Sequence, residues 1–131
     1  MNPVNRAIQG LIIFSALLGV FFLWQAYPLL PGEVFDILTV GWALFAIDSA
    51  LTFLRPKLSY YLGFALAVIA LFETLSQPQH YALVASGNLP ATVTLVLGST
   101  AQALLIILAG YYVISQRKED PWAWPADDPP V

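Results

Sequence analysis

The chain has 131 residues, 59% apolar and 14% aromatic, with only 10% charged and a mean hydropathy of +0.74; a water-soluble domain carries about 25% charged residues. The formal charge is −3, from five basic and eight acidic side chains, which excludes a nucleic-acid-binding surface. Cysteine is absent, excluding disulfides, thiolate catalysis, iron–sulfur clusters and thiolate zinc sites, and the one histidine, His80, cannot by itself build a bis-imidazole haem, a two-histidine copper site or an HExxH zinc site.

The first apolar run covers about residues 7–27 and holds no charge from Ile8 to Tyr27. It matches the ~20 residues that cross a ~30 Å hydrocarbon layer. No A-x-A pattern follows, so it reads as a retained span and not a cleaved signal. Pro28-Leu29-Leu30-Pro31-Gly32 is a turn, because two prolines and a glycine cannot continue the helical ladder. A second span follows over 33–54. Arg55-Pro56-Lys57 leaves room only for a tight turn, with the third span running over 57–77. Residues 78–87 are less apolar and read as a short interfacial helix, opened by Pro78 and closed at Gly87-Asn88. The fourth span, over 90–116, is long enough at roughly 39 Å to tilt or protrude. The expected fold class is therefore all-α: a four-transmembrane-helix bundle over 1–118 with an irregular, acidic, proline-rich tail over 119–131.

Arg6, Arg55, Lys57, Arg117 and Lys118 all fall on one side of this four-span arrangement. Basic residues near span ends are retained in the cytoplasm, so both termini are expected there, in a prokaryotic cell membrane. Aromatic belts are expected at Trp24 and Tyr27 on one boundary and at Tyr60, Tyr61, Tyr111 and Tyr112 on the other. Helices pack in lipid through small residues. The third span offers Gly63, Ala67, Ala70 and Thr74 at spacings of four, three and four; the fourth offers Ser99, Ala103 and Gly110, and the first Ser15 and Gly19.

Four polar positions could carry chemistry. Asp48 lies inside the second span, where an ionised carboxylate costs about 2.5–3.5 kcal/mol on insertion scales. Thr52 and Arg55 follow on the same helical face, so a polar cluster anchoring the span and a proton or ion site both fit Asp48. Glu73 reads as a hydrated carboxylate near a span end, or as a proton entry point. Gln102 reads as an interhelical hydrogen-bonding group, and His80 as a surface residue. No triad, phosphate-binding glycine loop or paired-carboxylate motif is present. In the tail, Trp122 and Trp124 are candidate docking residues, because indoles bury large areas where they anchor partners; the alternative is interfacial placement of both rings.

Two functions follow as expectations. The first is a non-catalytic accessory or structural subunit of a larger membrane complex, such as a respiratory or other redox enzyme, contacting lipid and other membrane subunits and holding no cofactor of its own beyond bound lipid. The second is a small homo-oligomeric carrier of a proton, ion or solute that works through Asp48. The membrane-embedded glutamate that small multidrug transporters carry in their first helix has no counterpart in the first span.

Overall fold

The computed structural model describes residues 3–26, 32–76 and 78–119, all of them helical or in short connections. Five helices follow in order: α1 (Pro3–Ala26), α2 (Gly32–Leu54), α3 (Pro56–Ser76), α4 (Pro78–Ala85) and α5 (Leu89–Glu119). Of these, α1, α2, α3 and α5 are long and apolar enough to cross a membrane.

Local chemistry sets the boundaries. Proline opens α1, α3 and α4 as their first residue, where a missing N–H costs nothing and the fixed φ suits a helix. This moves the start of α1 to Pro3, ahead of the expected position 7. A single non-helical residue, Arg55, separates α2 from α3; its N–H donates to Leu51 at 2.7 Å and its carbonyl accepts from Ser59 N–H at 2.9 Å. Gly87, at φ +81°, ends the turn after α4, a conformation that penalises any side chain with a Cβ. Asn88 caps the next helix instead of closing the last one: its Oδ1 accepts from Ala91 N–H at 3.1 Å. Helix α5 then runs 31 residues through Glu119, past the expected end at 116, with Arg117 and Lys118 complementing the dipole of its last turn.

The four long helices form a ring in which α1 packs on α2, α2 on α3, α3 on α5 and α5 on α1, with α4 against α5. Their outer faces carry bare apolar groups, including Leu17, Phe53, Leu54, Phe72, Ile107 and Tyr111. A soluble bundle turns such side chains inward.

Packing along the ring is uneven. The end that carries Arg6, Arg55, Lys57, Arg117 and Lys118 is called here the basic end. Ile8, Ile12, Ala16, Phe45, Tyr60, Leu66, Ala67, Leu105, Ala109 and Tyr112 form the core, most of them at or below mid-helix on the side of that end. Tyr60 and Tyr112 belong to this core and not to an interfacial belt, because Tyr60 shares a face with Gly63 and Ala67, and Tyr112 with Leu105 and Ala109. Their rings meet edge to face at 5.0 Å. Tyr61 stays nearer the surface beneath the Arg117 guanidinium, 5.3 Å from its ring centroid.

Candidate functional site

The deepest charged residue is Asp48, in the basic half of α2 and 0% exposed. Its carboxyl lies against the backbone of α3: a Cβ on Gly63 would stand 3.1 Å from Asp48 Oδ2 and 2.9 Å from Ile12 Cδ1. Neither carboxyl oxygen has a hydrogen-bond partner. Nearby hydroxyls are engaged elsewhere. Ser59 Oγ donates to the Asp48 main-chain carbonyl at 3.1 Å. Thr52 Oγ1 donates to the Ser49 carbonyl at 2.6 Å and accepts from Gln9 Nε2 at 3.3 Å. Arg55, exposed at the break between α2 and α3, keeps its guanidinium at the surface and gives Asp48 no hydrogen bond. The structure thus keeps Asp48 and Thr52 on one face of α2 but does not gather Asp48, Thr52 and Arg55 into a bonded cluster. An ionised carboxylate held there without donors would cost several kcal/mol.

One turn further from the basic end the packing opens. A cavity of about 240 Å³ lies among α1, α2, α3 and α5, lined mainly by the parts of these helices remote from the basic residues. Its wall is mainly apolar, from Leu18, Phe22, Leu38, Trp42, Phe45, Leu66 and Leu95. The exposed members of its lining, Ile37 and Leu44 on α2 and Ile69 on α3, mark where it opens sideways.

Hydrogen bonds fix the floor. Ser15 Oγ donates its only proton to the Leu11 carbonyl at 2.8 Å, so the bond of 2.9 Å between Gln102 Nε2 and Ser15 Oγ must run from the amide. That orientation leaves Gln102 Oε1 buried and without a partner. Trp42 Nε1 donates to the Ala16 carbonyl at 3.0 Å, and Gly19 lets the indole lie flat on α1, since a Cβ there would stand 2.7 Å from Trp42 Cδ1. At the opposite end the rim carries Glu73, Thr74 and Thr94. Asp48 and Gly63 lie three residues below Phe45 and Leu66 respectively, which puts the buried acid about one helical turn beneath the floor.

The small residues divide between these two regions. Gly63 and Ala67 are buried in close contact, whereas Ala70 and Thr74 line the cavity. Gly110 sits against Phe64, with a Cβ 3.1 Å from its ring, and Ala103 is half-buried. Ser99 Oγ is buried and has no partner. His80 lies on α4. Trp122 and Trp124 fall outside the described residues. Among the described residues no three His, Cys, Asp or Glu side chains gather as a metal site.

Sequence reasoning passed over Gln9, Trp42, Ser49 and Ser59. A usable signal existed for two of them: Trp42, Phe45, Ser49 and Thr52 follow at spacings of three, four and three, one face of a helix. That face meets α1: the Ser49 Oγ proton, held mainly by the Phe45 carbonyl of its own helix at 2.9 Å, is shared with the Ile12 carbonyl of α1 at 3.4 Å. Comparison of the chain with protein-family models, with curated proteins and with solved structures finds no match.

Proposed function

We propose that this chain is an integral membrane protein that binds and handles a small, largely apolar solute in the cavity between its four long helices. The observation that carries the reading is the convergence of all four helices on one space of about 240 Å³ with a hydrogen-bonding floor. An engineered apolar cavity of roughly 150 Å³ already holds a benzene molecule, so this one accommodates a larger body. Pockets between bundle helices with few polar groups are a common form of small-molecule site. The lateral opening past Ile37, Leu44 and Ile69 faces the apolar phase, the route by which a lipophilic solute arrives.

In this reading the termini and the basic end lie on the cytoplasmic side, the cavity faces the other, and Asp48 is the buried acid beneath it. The accessory-subunit role in a larger membrane complex is the second reading. It draws on Trp122 and Trp124 and on the open apolar surface formed by Val68, Leu71, Phe72, Leu75 and Ile106.

Native mass spectrometry of the protein purified in mild detergent tests both. The carrier reading expects the chain alone or as a homo-oligomer, with a small-molecule adduct that is lost in Gly41→Phe. Gly41 lines the cavity and a Cβ there meets nothing within 4 Å, so the new ring fills the space without displacing the backbone. Migration only with other polypeptides, and no adduct on either variant, overturns the carrier reading and favours the accessory one.

A further inference from the structure

Few polar groups meet the cavity, and most of their hydrogen-bonding capacity is already used. Ser15 Oγ gives its proton to the Leu11 carbonyl, Trp42 Nε1 gives its own to the Ala16 carbonyl, and Thr94 Oγ1 donates to the Pro90 carbonyl at 2.8 Å. Glu73, at the rim, already has a partner within the chain. Among the described residues no Lys or Arg lines the cavity. A charged solute entering there gives up its hydration and finds no vacant counter-ion in return. Gln102 is the exception to this saturation. It lines the floor from the middle of α5, is 8% exposed, and is held by the bond from Nε2 to Ser15 Oγ, while Oε1 is buried with no donor. An acceptor left unmade in a low-dielectric interior is costly, and a guest that brings a donor removes that cost. Ser99 Oγ, three residues earlier on α5, is also buried without a partner, but Ser99 stands outside the cavity lining.

Resting on the solute-binding reading, we infer that the solute is uncharged and carries a hydroxyl that donates to Gln102 Oε1. The hydroxyl sits at the floor, and the apolar body extends past Trp42 and Leu95 toward the rim. Along α3, seven residues separate Leu66 at floor level from Glu73, about 10 Å, which sets the length of body that fits. A single ring with a short alkyl chain meets that length. The methyl ether of the same body keeps the apolar contacts but sets one acceptor against another. A site that hydrogen-bonds a hydroxyl discriminates against the analogue lacking it, because its own buried group is then left unpaired.

The test uses four probes that share one body: 4-propylphenol, its methyl ether 4-propylanisole, 4-propylbenzoate and 4-propylbenzylammonium. Binding to the full chain in lipid nanodiscs is measured by calorimetry, each probe being referred to its own uptake by empty nanodiscs and by the Gly41→Phe variant. The phenol should bind about fivefold tighter than the ether, the ratio that one buried hydrogen bond between neutral groups supplies. Neither charged probe should bind above the references. Gln102→Leu should bring the phenol down to the affinity of the ether and leave the ether unchanged, whereas Ser99→Ala should leave the ratio intact. The comparison of phenol and ether on the unaltered chain needs no variant and decides the donor by itself. Equal binding of the two, abolished by Gly41→Phe, overturns the hydroxyl assignment while the cavity reading stands. A charged probe that binds as tightly as the phenol overturns the uncharged assignment, and a ratio that survives Gln102→Leu overturns the choice of acceptor. Absence of binding by all four probes above the references overturns both this inference and the cavity reading.

Discussion

Gly63→Ala tests whether the tight half of the bundle is as close-packed as the geometry indicates. The added methyl would lie 2.9 Å from Ile12 Cδ1, 3.2 Å from Ile12 Cγ1 and 3.1 Å from Asp48 Oδ2. Both side chains are 0% exposed, so neither can swing into open space to make room. Overpacking of this kind costs about 1–3 kcal/mol, offset by roughly 1 kcal/mol from replacing a helical glycine with alanine. A net loss of about 1 kcal/mol is expected. Ile12→Val removes the nearest methyl and alone should cost 0.5–1.5 kcal/mol or about that. In the Gly63→Ala background the same truncation relieves the clash, so the double variant should recover about 1 kcal/mol relative to the sum of the singles. The assay is reversible unfolding in mixed micelles by SDS titration, followed by circular dichroism. Gly41→Ala is the control, because a Cβ there meets nothing within 4 Å and the helix-propensity gain stands alone. If Gly63→Ala stabilises as much as Gly41→Ala, or the two changes at 63 and 12 are additive, the reasoning about this contact is wrong.

Asp48→Asn should leave stability unchanged or raise it by about 1 kcal/mol in the same titration, because the carboxyl oxygens lose no partner; a loss beyond ~2 kcal/mol would reveal a bonded carboxyl. The natural absence of cysteine allows single-cysteine topology mapping: an impermeant thiol reagent outside intact cells should label position 32 or 87 and spare 57 or 118, and the reverse pattern inverts the orientation. Trp122→Ala with Trp124→Ala should weaken any hetero-complex by about 2 kcal/mol if the indoles anchor it; co-purification identical to that of the full chain removes the main support for the accessory reading.

The four long apolar segments were readable from composition and span length, and Pro56, Pro78 and Gly87 marked breaks, whereas the turn expected at 28–32 falls mostly outside the described residues. What hydropathy could not supply is which face of each helix turns inward, because these helices are apolar all round. That is why Tyr60 and Tyr112 read as belt residues: a tyrosine near a span end looks the same from sequence whether it meets headgroups or another tyrosine. Asp48 stood out by charge alone, but its surroundings did not. The spacing of Thr52 and Arg55 placed them on its face, yet spacing says nothing of Arg55 lying at a helix break or of Thr52 being held by Gln9 and Ser49. The cavity was invisible for a similar reason. Its lining is drawn from four separate segments, and the residues that leave space, Gly41 and Gly98, carry no mark that separates them from glycines in close contact such as Gly19.

The one-residue joint at Arg55 has a mechanical consequence. Successive Cα atoms are about 3.8 Å apart, so the two helix ends that meet there cannot slide past each other; they can only pivot. Gly41 stands 14 residues from that pivot, roughly 21 Å along the axis, and Asp48 only half as far. A pivot of 5°, or about that, displaces the two arms by roughly 2 Å at the level of Gly41 and under about 1 Å at Asp48, by the same helical rise. A pivot at Arg55 would therefore separate Ile37 from Ile69, which flank the lateral opening, far more than it would loosen the packing around the acid.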